Sequence, residues 1–545
     1  MKQTADIVIY NGTIYTVDKK ESIVEAVAVK GDRILATGST EDILSLANEE
    51  TKKVDLQGNF MIPGLNDSHA HPFFLAMDID NVDLIPAKNI SEIQNLLRER
   101  SQMIPEGEWV VSRMAWHETQ LVENRFPTRE ELDEACPNHP VCLQRGGHMK
   151  VCNSMALELA GITEDVKDPI GGHFGRNKQG KLNGILADAA SAIVDRVIPK
   201  NMGPGFAQAM KRVSAQLNQF GVTTTAEMGS LVPIHMVHEN NFKTITSLYQ
   251  ANEFHARMAA MIYAVDYDMA KWAVEFGTTF EKNDHFKFQG IKLIQDGGVE
   301  TANLIDAYEV LEDIQPVEDF HGISFWTEER KDEFRKIMDL CTEHQLMLQI
   351  HTYGDKSAQY NIDMFAEQGE KADIGKLNWT ICHLPLCNEE QLEKLKKYDI
   401  CVSIQHQPYL LGLNLRRYWG TERGDTKNAE YRKLMDFGIR MGAGTDYPIG
   451  PVNPFPCIEF LVDRKIIDGS VLGAQSRISI EEAIYLWTQG SANIEGWGEM
   501  IGSIEPGKKA DFTVLDQNLL TIPVENIHKT TVLQTWYDGQ CVYEK

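Results

Sequence analysis

The chain has 545 residues, 43% hydrophobic and 24% charged, a make-up that excludes a disordered protein and is too long for one ordinary domain. Its 53 Lys and Arg face 79 Asp and Glu, a formal net charge of −26 that argues against nucleic acid and anionic membranes as partners. Nine scattered cysteines without C-x-x-C spacing, no apolar run approaching about 18 residues and no signal-peptide core lead to the expectation of a cytoplasmic protein with reduced thiols.

Along the chain, the first sixty residues alternate with period two, in "DIVIYNGTIYTVD" and "SIVEAVAVKGDRILATG", with turns at Asn11-Gly12 and Gly31-Asp32. The last forty-five repeat that style in "GSIEPGKKADFTVLD" and "TVLQTWYDGQCVYEK". A lone hairpin is marginal in water, so both ends are expected to meet in one small β-sandwich, residues 1–63 with 497–545. Between them, 64–496 alternates strand-like and helical runs, the rhythm of a parallel sheet or barrel. After the strand in "GLNDSHAHP", further strands are predicted at 222–228, 257–265, 288–297, 346–354, 378–386, 399–408 and 439–448. Eight strands make the count of a (β/α)₈ TIM barrel, an α/β fold. Helices are predicted to open on capping boxes at Asn388 with Gln391 and at Ser479 with Glu482. Some 150 residues separate the first two strands, too many for one crossover, so an inserted subdomain is expected at about 80–200, with strands in "EWVVSRMAW" and "HPVCLQR".

In "GLNDSHAHP", His69 and His71 lie one residue apart, and on a strand they project to the same side. Reactive groups of such a barrel gather at the carboxyl ends of its strands. Those ends carry His69 and His71 on the first, Lys292 on the fourth, His351 on the fifth, His383 on the sixth and Asp446 on the eighth. Glu227, Asp266 and His406 are weaker candidates on the second, third and seventh. Imidazole and carboxylate donors suit a divalent metal, zinc first, with iron, manganese, cobalt and nickel open. Such an ion lowers the pKa of water from about 15.7 towards about 7 and polarises a carbonyl, so hydrolysis is the chemistry expected. Asp446 is a ligand, a general base or both, or else a turn aspartate before Tyr447-Pro448. Lys292 makes no sense as an ammonium among cations: it is neutralised, modified, or ion-paired with Asp296 on the same strand face.

These residues resemble the amidohydrolase superfamily, specifically family 3 with its YtcJ-like proteins and N-substituted formamide deformylase. The likeness covers nearly the whole chain, in "PGLNDSHAHP", "FPTREELDEACPNHPVCLQRGGHMKVCNSMAL", "DPIGGHFGRNKQGKLNGIL", "GIKLIQDG", "IHTYGD", "GTDYP" and "GSIEPGKKADFTVLD". The resemblance implies a carboxylated Lys292 bridging two ions, with His69, His71 and Asp446 on one and His351 and His383 on the other; a single ion is the simpler version. The chain departs from the family at Trp116-His117, at Gly146-Gly147-His148 and at His383-Leu384, positions expected to face the substrate. Trp116, His117, Arg145, Asp296 and Tyr353 are accordingly expected to bind substrate, and His148 to share in catalysis. The expected reaction is hydrolysis of a C–N bond in a small linear amide, N-acyl or N-formyl, by hydroxide generated at the metal. Asp446 relays the proton to the leaving nitrogen. One rival is a one-metal deaminase of a ring C–N bond, which "TYGD" after His351 disfavours because such sites use His-x-x-Glu. Another is a barrel that acts by binding partners. A homodimer is the expected assembly.

Overall fold

The computed structural model describes residues 4–200, 202–229, 234–309, 319–405 and 407–545. His406 lies outside the described residues. Eight parallel strands stand side by side in chain order: Leu65–Ala70, Val222–Glu227, Arg257–Tyr263, Phe286–Ile294, Met347–Thr352, Thr380–His383, Cys401–Gln405 and Met441–Gly444. Every strand but Phe286–Ile294 is buried along its whole length, because side chains fill the barrel inside and helices cover it outside. That double burial is why most of these stretches read as apolar and β-branched runs rather than as alternating ones; Leu65–Ala70, which is polar at four of its six residues, is the exception.

The first and last strands meet at a seam sealed partly by side chains. Ser68 Oγ donates to Ala443 O at 3.0 Å, and the backbone N–H groups of Asp446 and His71 donate to His69 O and Tyr447 O, both at 2.8 Å. The buried carboxylate of Asp67 accepts from Thr445 N at 3.1 Å, Thr445 Oγ1 at 2.6 Å and His69 N at 3.2 Å. Burial, only partly offset by these donors, pushes Asp67 up to about 7. Gly444 allows the close approach, since a Cβ there would stand 2.6 Å from His69 N and 2.7 Å from the Asp67 carboxylate.

The helix Glu389–Lys397 starts at the expected box, with Gln391 N donating to Asn388 Oδ1 at 2.9 Å and Asn388 N to Gln391 Oε1 at 2.7 Å. Ser479 and Glu482 do the same for Ile480–Tyr485. Each cap is worth about 1 kcal/mol.

Strands from both ends of the chain share one six-stranded sheet, in which Phe60–Pro63 pairs antiparallel with Phe512–Leu515. A four-stranded sheet of Ile7–Tyr10, Ala26–Lys30, Arg33–Gly38 and Lys52–Asp55 packs on it through Ile9, Val27, Met61, Phe512 and Trp536. The C-terminal strands bear on the amino ends of the barrel strands: Thr513 Oγ1 donates to Gly221 O at 2.8 Å, and the fully buried Arg257 pairs with Asp511 and Asp538. Replacing Arg257 by Met should strand two carboxylates in the interior and cost about 3–5 kcal/mol, read as a fall in the urea midpoint. An unchanged midpoint would show that the pair carries no such load.

Between the first two barrel strands lies a five-stranded sheet in the order Gly172–Arg176, Leu182–Asp188, Met149–Cys152, Val141–Arg145, Val110–Val111. The stretch "EWVVSRMAW" supplies only the two-residue edge strand. Three of the strands escape a sequence reading: glycines interrupt the alternation of Gly172–Arg176 and Leu182–Asp188, and Met149–Cys152 is only four residues long. Among the described residues, no helix is long and apolar enough to cross a membrane.

Candidate metal centre

At the carboxyl ends of the barrel strands four imidazoles gather. The ring of His69 lies 5.7 Å from that of His71 and 4.9 Å from that of His383, and His383 lies 4.4 Å from His351. Asp446 Oδ1 is 3.5 Å from His69 Nε2 and 3.2 Å from His71 Nε2. One ligand-capable atom each from His69, His383 and Asp446 lies within 4.8 Å of the others, a candidate metal site.

The electrostatics fit a cation. Burial, then the charges of Lys292 and His383, hold His69 well below its ordinary value. His351 is held well below for the same first reason, and burial pushes His383 down to about 3. All three are therefore neutral imidazoles with a lone pair to give. Among the described residues, neither His69 Nδ1 nor His383 Nδ1 has a hydrogen-bond partner, although both are buried. Burial alone would raise Asp446, but its bond with His71 and the charges of His383, His71 and Lys292 keep it below the ordinary carboxylate value. Its other oxygen accepts from Gln407 Nε2. Backbone strain collects here too: His383 and Asp446 sit at φ +71° and +57°, a left-handed conformation that costs about 1–3 kcal/mol in a non-glycine residue.

Lys292 is buried, and its Nζ donates to Cys382 Sγ at 3.2 Å. The ion pair with Asp296, one of the alternatives open for Lys292, is not formed. Strand alternation stops at Ile294, and beyond it the Asp296 carboxylate turns to accept from the backbone N–H groups of Tyr353, Gly354 and Asn303 at 2.9, 2.7 and 3.0 Å. Asp296 thus clamps two loops from a fully buried position and offers no surface to a substrate.

His148 arrives from the insertion. Its ring lies 4.9 Å from that of His351, and its Nδ1 is 2.7 Å from Asp188 Oδ1. Burial would lower His148, but the bond to Asp188 and the charges of Asp188 and Asp446 outweigh it and raise the pKa. Thr301 Oγ1 donates to the other oxygen of Asp188 at 2.6 Å. Tyr353 completes the wall, its ring 6.0 Å from His351 and 5.7 Å from His383, and among the described residues its buried hydroxyl has no hydrogen-bond partner.

The remaining substrate candidates belong to the frame. Arg145 is held by Glu118 at 3.0 and 3.2 Å and by Glu300, and Asn414 Nδ2 donates to Glu118 at 2.8 Å. Trp116 is fully buried, with its indole N–H on Gln144 O at 2.6 Å. His117 opens the short helix Glu118–Gln120. Glu227 holds the backbone N–H of Phe73 at 2.8 Å behind His71, and Asp266 caps the helix Tyr267–Gly277. Asp188 and Gln407 are site residues that the sequence did not single out; each touches the centre only through a partner far away in the chain.

A barrel with neutral imidazoles and a carboxylate at its carboxyl-end mouth defines a metal-dependent hydrolase. The chain belongs to the amidohydrolase family, whose profile matches residues 52–543. That family acts on small-molecule substrates. N-substituted formamide deformylase of Arthrobacter pascens is 24% identical over 100% of this chain and 99% of its own length. The YtcJ protein of Bacillus subtilis (strain 168) is 26% identical, covering 98% of this chain and 99% of its own. Among solved structures, an uncharacterized metal-dependent hydrolase from Pyrococcus horikoshii OT3 has the same fold, with a TM-score of 0.73, 24% identity, and coverage of 95% of this chain and 99% of that one.

Proposed function

We propose that the protein hydrolyses the C–N bond of a linear amide of N-acyl or N-formyl type. The observation that carries this reading is the convergence of His69, His71, His351, His383 and Asp446 from four separate strands, with the imidazoles of His69, His351 and His383 held neutral. The full-length likeness to a formamide deformylase supports the choice of amide. His69, His71 and Asp446 would hold one divalent ion, zinc by the chemistry of these donors, and His351 and His383 a second, with Lys292 between them as a carbamate. When bound, such an ion acidifies water to a pKa of about 7 and polarises a carbonyl.

The side chains do the rest. Asp446, oriented by Gln407 through one oxygen, takes a proton at the other and delivers it to the leaving nitrogen. His148, whose pKa Asp188 raises, would donate to the developing oxyanion when protonated, and the hydroxyl of Tyr353, unpartnered among the described residues, stands ready as a second donor. Among the described residues, Lys292 Nζ has no carboxylate within ion-pair distance that would hold it as an ammonium, and its hydrogen-bonded neighbour is a thiol, which supports carbamylation.

Ring deamination fits less well. Asp355, the first carboxylate after His351, accepts from the backbone of Ile305 at 2.8 Å and is committed to that loop. The test is a zinc-reconstituted assay of N-formyl and N-acyl amines beside aminated purines and pyrimidines. Turnover of amides alone is expected; release of ammonia from the ring compounds, with no amide cleaved, would overturn the reading.

A further inference from the structure

Two adjoining cavities open beside His148, on the side of the insertion. The inner one is bounded by His148, Lys150, Asp188 and Tyr263. The outer, about 170 Å³, shares Phe74, Met114 and Asp195 with it and continues to Met77, Trp109 and Lys200. Both residues reach the inner cavity from neighbouring positions: His148 closes the turn that leads into Met149–Cys152, and Lys150 lies within that strand.

The charge balance of this passage is uneven. Lys150 Nζ rests on one oxygen of Asp195 and lies 3.4 Å from Ser191 O, and Lys200 Nζ reaches the other oxygen of Asp195 at 3.4 Å. A single carboxylate therefore faces two ammonium groups whose side chains are only 7% and 17% exposed. Among the described residues, Lys200 Nζ has no other hydrogen-bonded partner, so most of its donor capacity is unused. The other acids do not cancel the excess. Asp188 is matched by His148, Glu108 stands on the exposed rim, and Asp78 accepts from Asn81 Nδ2, Met114 N and Gln144 Nε2 in a site whose burial pushes it up to about 7. A half-buried surplus of positive charge is costly unless an anion joins it.

We propose that Lys150 and Lys200 form a subsite for a carboxylate on the substrate, so that the protein's substrates are N-acyl or N-formyl compounds with an acidic arm running from His148 towards Lys200. Phe74, Met77, Trp109 and Met114 line that arm and accept its apolar part. The assignment rests on His148 marking the reacting carbonyl.

Binding separates the two readings. Calorimetry of the metal-free protein with N-acetylphenylalanine and its neutral carboxamide is expected to show at least about tenfold tighter binding of the acid. Lys200→Met should bring that ratio close to one, and Lys200→Arg should restore most of it. Equal affinities, failure of both compounds to bind, or a ratio indifferent to Lys200→Met would overturn the subsite. A preference that persists while the zinc-loaded protein cleaves no amide would leave the subsite standing and remove the hydrolytic reading. Cleavage of charged and neutral amides with equal kcat/KM would do the reverse.

Discussion

Asp446→Asn is expected to fold normally and to lose about 10³-fold in kcat/KM, within the range that a positioned acid–base group supplies. Asparagine has the same shape, its carbonyl oxygen can still accept from Gln407, and it is among the few residues that tolerate the left-handed backbone found here. What it lacks is a site for a proton and the negative charge that three imidazoles and Lys292 surround. Steady-state kinetics with a urea titration on the same sample separates the two effects. Full turnover in this variant would refute both the ligand and the proton-relay roles; a large fall in the urea midpoint would trace the lost rate to folding instead.

Stripping metal with a chelator should abolish turnover and lower thermal stability. An ion present at about a hundred times its Kd stabilises the native state by about 2.7 kcal/mol, worth roughly 2 °C in Tm for a chain of this size. Adding zinc back should recover both activity and Tm, while magnesium, which prefers oxygen donors, should recover neither. Undiminished activity after exhaustive chelation, checked by elemental analysis, would end the metal-dependent account.

Much of this centre was legible because barrel strands have a simple rule. His69 was legible at the end of a strand, and His71, which opens the helix Pro72–Asp78 just past Ala70, still turns to Asp446; His351 and His383 followed from the ends of later apolar runs. The same rule misled at Lys292 and Asp296. It holds only while the strand lasts, and the ladder ends at Ile294, where the chain turns and Asp296 is captured by backbone amides. Gln407 and Asp188 were hidden for a different reason. An amide beside the more conspicuous His406 and an acid closing a glycine-rich hairpin carry no local mark, because what matters is a contact made across 39 or 40 residues of chain. Arg145 read as a substrate group because a cation beside a histidine suggests anion recognition. Its partners Glu118 and Glu300 lie 27 and 155 residues away, and only the folded chain shows that they consume it.

The seam between Leu65–Ala70 and Met441–Gly444 ties assembly of the centre to the synthesis of its last strand. His69 and His71 leave the ribosome first, but Asp446 and the strand that brings it to them emerge about 375 residues later. A prematurely terminated product would therefore hold orphan imidazoles and no working centre, so catalytic competence itself certifies that translation ran past Asp446.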